Sequence, residues 1–78
     1  MTTPAQLRAA RSMIGASQPH IAATAGVSVS TLKRAEGTIQ PPASKEAIDA
    51  IRAALEAAGI VFLAENGNGP GVALRKDV

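Results

Sequence analysis

Lys33 and Arg34 stand side by side near the end of a short helix-forming stretch, with Val29 and Ser30 just before them. These four residues are the chain's best equipment for recognition chemistry. An arginine guanidinium can donate two parallel hydrogen bonds to O6 and N7 of guanine. Valine offers an apolar contact for a thymine methyl, and serine can hydrogen-bond a base edge. Of the four, Arg34 is the expected principal base contact. Chemistry that makes or breaks bonds has less to draw on. The 78 residues hold one histidine, no cysteine and six scattered carboxylates. No nucleophile with its base, paired carboxylates or metal-ligand set can be assembled from them. No enzyme, metal or cofactor is expected.

His20, at the third position of a helix start, reads as an exposed side chain, with a phosphate contact as the lesser alternative. The glycines of residues 67–71 do not make a nucleotide cradle. Their spacing is G-x-G-x-G, Pro70 interrupts it, an extended run follows, and no Walker lysine is present.

Two short helices must position the four residues, in the stretch SQPHIAATAGVSVSTLKRAE from Ser17 to Glu36. Ser17 is an N-cap candidate, and Pro19 falls in the first turn, where a missing N–H does no harm. Ile21, Ala22 and Ala25 recur at helical spacing. Gly26 supplies the left-handed residue that ends the first helix. Val27 is placed to plug the turn, and Ser28 caps the second helix. That helix turns Val27, Leu32, Ala35 and part of Thr31 inward. It leaves Val29, Ser30, Lys33 and Arg34 outward, a shape suited to a major groove.

This stretch resembles the helix-turn-helix of the Cro/cI-type (XRE) repressor family, in the pattern S-Q-x-x-[IL]-A-x-x-A-G-V-S-x-S-T-[LI]-x-R-x-E. The resemblance extends over Gln6 to Gly59. It implies a mainly α, lambda-repressor-like four-helix domain that binds double-stranded operator DNA as a homodimer and regulates transcription. The family usually has Leu or Ile where Ala35 stands, which implies a weaker anchor for the second helix. Ser17, Gln18, Ser28 and Thr31 match positions that clamp the phosphate backbone at a helix start. Thr38 and Gln40, in the loop that lies on DNA in the family, are further candidates for phosphate contact. Gln18→Ala is expected to weaken binding with little change in sequence preference.

Bulk properties agree with one small domain, near the lower size limit for a single core. Apolar residues make up 46%, but many are alanine and only Phe62 is aromatic, so the core must be thin. Residues 1–37 carry Arg8, Arg11, Lys33 and Arg34 against Glu36, while the remainder is net acidic by one. Excess positive charge therefore sits with the half expected to read DNA. The start MTTPAQLRAARS lacks the apolar run of a signal peptide, and no stretch approaches a membrane span, so a cytoplasmic protein with no membrane partner is expected.

Along the chain, Thr3, Pro4 and Gln6 form a capping-box start for a first helix with Leu7, Ala10 and Ile14 inward and Met13 at the edge. Arg8 and Arg11 fall on its other side and read as solvated, with phosphate contact as the alternative. Gly15 stops it. Gly37 to Ala43 reads as a loop. Ser44 caps the longest helix, Lys45 to Ala58, with the stripe Ala47, Ile48, Ile51, Ala54, Leu55 and Ala58. Asp49 and Arg52 are placed to interact on its polar face.

After Gly59 the chain turns β-branched, and Ile60–Ala64 and Val72–Arg75 flank a Gly/Asn/Pro loop, which predicts a C-terminal β-hairpin. Alternation puts Ile60, Phe62 and Ala64 on one face and Val61 and Leu63 on the other. The segment Phe62 to Leu74 also resembles the F-x-x-E-N-G-x-G-P-G-V-x-L ending of many helix-turn-helix relatives, where it is an appended structural or dimerising element. The expected division is 1–59 for DNA binding and 60–78 for dimerisation, with Val61, Leu63, Val72 and Leu74 as the shared surface. Truncation after Gly59 is expected to leave a less stable, monomeric helical domain.

The leading expectation is a repressor-like, sequence-specific regulator on a palindromic operator, with no small-molecule ligand. The alternative is a protein-interaction module on the same fold, an anti-activator or bridging factor without specific DNA binding. Val29 and Ser30 keep it open, since neither reads a base as firmly as Gln, Asn or Arg.

Overall fold

A computed structural model of the chain describes residues 2–75 and contains four helices followed by a two-stranded antiparallel sheet. The helices are α1 (Pro4–Met13), α2 (Gln18–Ala25), α3 (Val29–Ala35) and α4 (Lys45–Ala57). The strands are β1 (Ile60–Leu63) and β2 (Gly71–Leu74). Residues 76–78 of the expected dimerising segment lie outside the described residues.

Each helix begins where a side-chain oxygen accepts an otherwise orphaned backbone N–H. Thr3 accepts from Gln6 N–H at 3.2 Å and donates its own N–H to Gln6 Oε1 at 2.8 Å, completing the capping box. Ser17, Ser28 and Ser44 accept from the N–H groups of His20, Thr31 and Ala47. Gly26, at φ 73°, ends α2 in the left-handed region, and Val27 N–H then returns to Ala22 O at 2.9 Å. A side chain at Gly26 would be strained whatever the space around it.

The core joins all four helices to the hairpin: Leu7, Ala10, Ile21, Ala22, Leu32, Ala35, Ile51, Leu55 and Ile60 are buried together. α4 ends one residue earlier than its apolar stripe suggests, and Ala58 is exposed. Its polar face also pairs differently from expectation. Asp49 accepts from Lys45 at 2.8 Å, and Arg52 donates to Glu56 at 3.3 Å, both four residues apart. Arg52 has further partners in Thr2 Oγ1 at 2.7 Å and the Phe62 ring, 4.7 Å from its centroid. Cation–aromatic stacking thus ties α4 to β1.

The hairpin register pairs Ile60 with Leu74, Val61 with Ala73, Phe62 with Val72 and Leu63 with Gly71. Directly opposed residues share a face, so Val72 lies with Phe62 against the helical core. This corrects its placement on the outer, shared surface. Leu74 falls on the same side as Ile60 by register, yet at the hairpin's open end it is 45% exposed. Val61 and Leu63 are the outward pair, 38% and 45% exposed. Buried Gln6 fixes the hairpin to α1 by donating Nε2 to Gly71 O at 2.9 Å and to Leu63 O at 3.2 Å. Among the described residues no helix is long and apolar enough to cross a membrane.

Candidate nucleic-acid interface

A seven-residue helix is too short to persist in water by itself, so α3 must be held from outside. Leu32 and Ala35 are buried on its inner side. Ala35 is only 2% exposed, and a further anchor comes next in sequence. Glu36 is only 1% exposed, and its carboxylate is the meeting point of three elements. Arg11 of α1 donates from Nε to Oε2 at 2.7 Å and from Nη2 to Oε1 at 3.1 Å. Gln18 of α2 donates from Nε2 to Oε1 at 3.1 Å. Arg8 donates to the Glu36 main-chain carbonyl, and Arg11 also reaches Ala16 O at 3.2 Å.

Arg8 is exposed, as expected, while its guanidinium also reaches the end of α3; Arg11, expected to be solvated, is instead half-buried against Glu36. Charge neutrality alone gave no hint. The available signal was a lone acid, Glu36, in a half otherwise holding four cations. The hydrogen bond to Glu36, opposed by burial and aided by the carboxylate's charge, raises the Arg11 pKa above the ordinary arginine range. A pKa raised in the folded state adds stability that is complete below the ordinary value and is lost only as pH climbs past it. Arg11 therefore contributes equally across the neutral range.

The expected contact residues divide into two sets. Ser30 is exposed on α3, with Lys33 and Arg34 half-buried beside it. Val29 is half-buried and packs on the core, so it is only partly available on the outer face. At the start of α3, Ser28 and Thr31 hydroxyls lie 2.8 Å apart and share a hydrogen bond. Ser17 and Ser28 each spend acceptor capacity on capping. Gln18 directs its amide nitrogen at Glu36, so it joins α2 to α3 in addition to any contact with a ligand. Thr38 closes α3 by donating both N–H and hydroxyl to Lys33 O at 3.0 Å. Gln40 is exposed in the following loop, and His20 is exposed on α2.

Cation pairing sets α3 apart. Arg8, Arg11, Lys45 and Arg52 all have acceptors within the chain, and Arg75 is engaged as well. Among the described residues, Lys33 and Arg34 have no ion pair or hydrogen bond from their side chains, and the shielded Arg34 Nε lacks any acceptor. Buried polar atoms are rarely left unsatisfied. These adjacent cations therefore carry charge that the fold does not use. An open groove of about 480 Å³ lies elsewhere, lined by Thr2, Lys45, Ile48, Asp49 and Arg52, with no residue from α2 or α3. The described residues contain no cluster of three or more His, Cys, Asp or Glu side chains able to hold a metal. Neither a protein-family model nor a curated protein matches this chain.

Proposed function

We propose that this chain is a sequence-specific, repressor-like DNA-binding regulator in which α2 and α3 form a helix-turn-helix. The observation that carries this reading is the unpartnered pair Lys33 and Arg34, beside exposed Ser30, on a helix fixed by the Glu36 ion pair. Rigid placement of a free guanidinium is what base readout requires, because a bidentate pair with guanine tolerates little misalignment. Exposed Ser17, Ser28, Thr38 and Gln40 border the same two helices and are the proposed phosphate contacts, with Gln18 and Thr31 beside them.

Binding to random duplex across a salt series tests the class of function. A DNA binder loses affinity linearly in log salt, because it releases condensed counterions. No salt-dependent binding would favour the protein-interaction module. On a selected site, Arg34→Ala is expected to cost about 1–3 kcal/mol and to relax preference at one base pair. An equal loss on selected and random DNA would make Arg34 a phosphate contact.

One such helix spans few base pairs, so the reading includes a homodimer on a palindromic site with its two α3 helices about one DNA turn apart. The outward hairpin residues Val61 and Leu63, with Leu74 at the open end, are the proposed shared surface. Two short uncharged strands with exposed apolar side chains also need protection from indiscriminate pairing. Leu63→Lys is expected to convert a dimer into a folded monomer in equilibrium sedimentation. A monomeric parent chain at micromolar concentration would overturn this surface.

A further inference from the structure

The loop between β1 and β2 carries the same dipeptide twice, Asn66-Gly67 and Asn68-Gly69. Asparagine before glycine loses its side-chain amide readily, since glycine has no Cβ to keep its own nitrogen from the preceding Cγ. The glycine N–H gives its proton to solvent base, and the nitrogen then bonds to Asn Cγ. The bond from Cγ to the side-chain nitrogen breaks, and ammonia leaves with a proton from water. Water next opens the cyclic imide at either carbonyl, giving aspartate or isoaspartate. One water enters, one ammonia departs, and the residue gains a negative charge at neutral pH.

In the folded chain both attacking nitrogens are occupied. Gly67 N–H donates to Glu65 Oε2 at 2.8 Å, and Gly69 N–H donates to the same oxygen at 2.9 Å. Asn68 N–H donates to Asn66 Oδ1 at 3.3 Å, tying that side chain to a peptide beyond the one that would attack it. Glu65, Asn66, Gly67 and Asn68 are exposed and only Gly69 is half-buried, so water and base reach the loop. Burial therefore offers little protection, and the carboxylate is the main obstacle. An anionic acceptor strengthens its hold on an N–H and disfavours a second anion on that nitrogen.

We infer that Asn66 and Asn68 are deamidation sites and that Glu65 is a clamp restraining both. Conversion of both would cancel the chain's formal net charge of +2. That change would also weaken any association with a polyanion.

Three samples aged together at neutral pH test the clamp by peptide-mapping mass spectrometry: the full chain, its Glu65→Ala variant, and a synthetic peptide of residues 62–73. The full chain is expected to deamidate several-fold more slowly than the peptide, and Glu65→Ala to approach the peptide's rate. Amide hydrogen exchange on fresh samples supplies the local readout. Gly67 and Gly69 should exchange faster in the variant, with strand amides unchanged. Equal rates in parent and variant would overturn the inference. So would faster exchange throughout β1 and β2, which would trace the effect to a loosened hairpin.

Discussion

Glu36→Ala is expected to remove about 3–5 kcal/mol of folding stability, the loss seen when one member of a buried ion pair is deleted. The carboxylate is almost fully shielded and takes three side-chain hydrogen bonds, from Arg11 twice and from Gln18 once. Its deletion strands a largely shielded guanidinium and an amide that were placed for it. In a domain of this size each kcal/mol moves the melting midpoint by about 4–8 °C, so the midpoint should fall by tens of degrees at the upper end of that range. Urea titration followed by circular dichroism measures the loss. A cost below about 1 kcal/mol, typical of an exposed pair, would show that the cluster does not lock α3. The exposed Lys45–Asp49 pair is the internal comparison, and Asp49→Ala should change stability by no more than about 0.5 kcal/mol. The double change Arg11→Met with Glu36→Leu should recover much of the loss, because apolar replacement of both partners leaves no charge buried alone. Any effect of that double change on DNA binding would then report the positioning of α3 apart from stability.

Elements whose cause is local were legible in the sequence. The four N-caps, the capping box at Thr3 and Gln6, and the left-handed Gly26 each depend on a few neighbouring residues. The hairpin was legible for the same reason, since Gly, Asn and Pro mark the loop and β-branched residues the strands. What escaped depends on distant partners. Nothing near Glu36 in sequence says that Arg11, 25 residues earlier, will meet it. The facing of Val72 depends on its register opposite Phe62, which the loop length left open. Asp49 illustrates a third limit: Arg52 three residues on and Lys45 four residues back are both within helical reach, and in the fold Lys45 takes Asp49 while Arg52 turns to Glu56. For the candidate interface, residue types marked Lys33 and Arg34, while their lack of partners needed the full set of contacts.

Ile60 carries the second large expected effect. Although it opens the hairpin, it is buried in the cluster that includes Leu7, Leu32, Ile51 and Leu55. Ile60→Ala is expected to cost about 2–5 kcal/mol, through lost burial and the cavity left behind. The adjacent Val61→Ala, on the outer face, should lie within about 0.5 kcal/mol in the monomer. Truncation after Gly59 removes more than Ile60. It takes away the packing of Phe62 and Val72 on the core, the Arg52–Phe62 contact, and both carbonyl acceptors of buried Gln6. In place of a less stable but still folded monomeric helical domain, the expected product is accordingly a chain without a cooperative transition. Calorimetry on the fragment, Ile60→Ala and Val61→Ala separates the possibilities. A sharp fragment transition close to that of the full chain would show that the four helices suffice and that the hairpin serves association alone. A broad or absent transition, with Ile60→Ala strongly destabilised and Val61→Ala near the parent, would place one face of the hairpin in the folding core. The other face, with Leu74 at the open end, would then be free to meet a second chain.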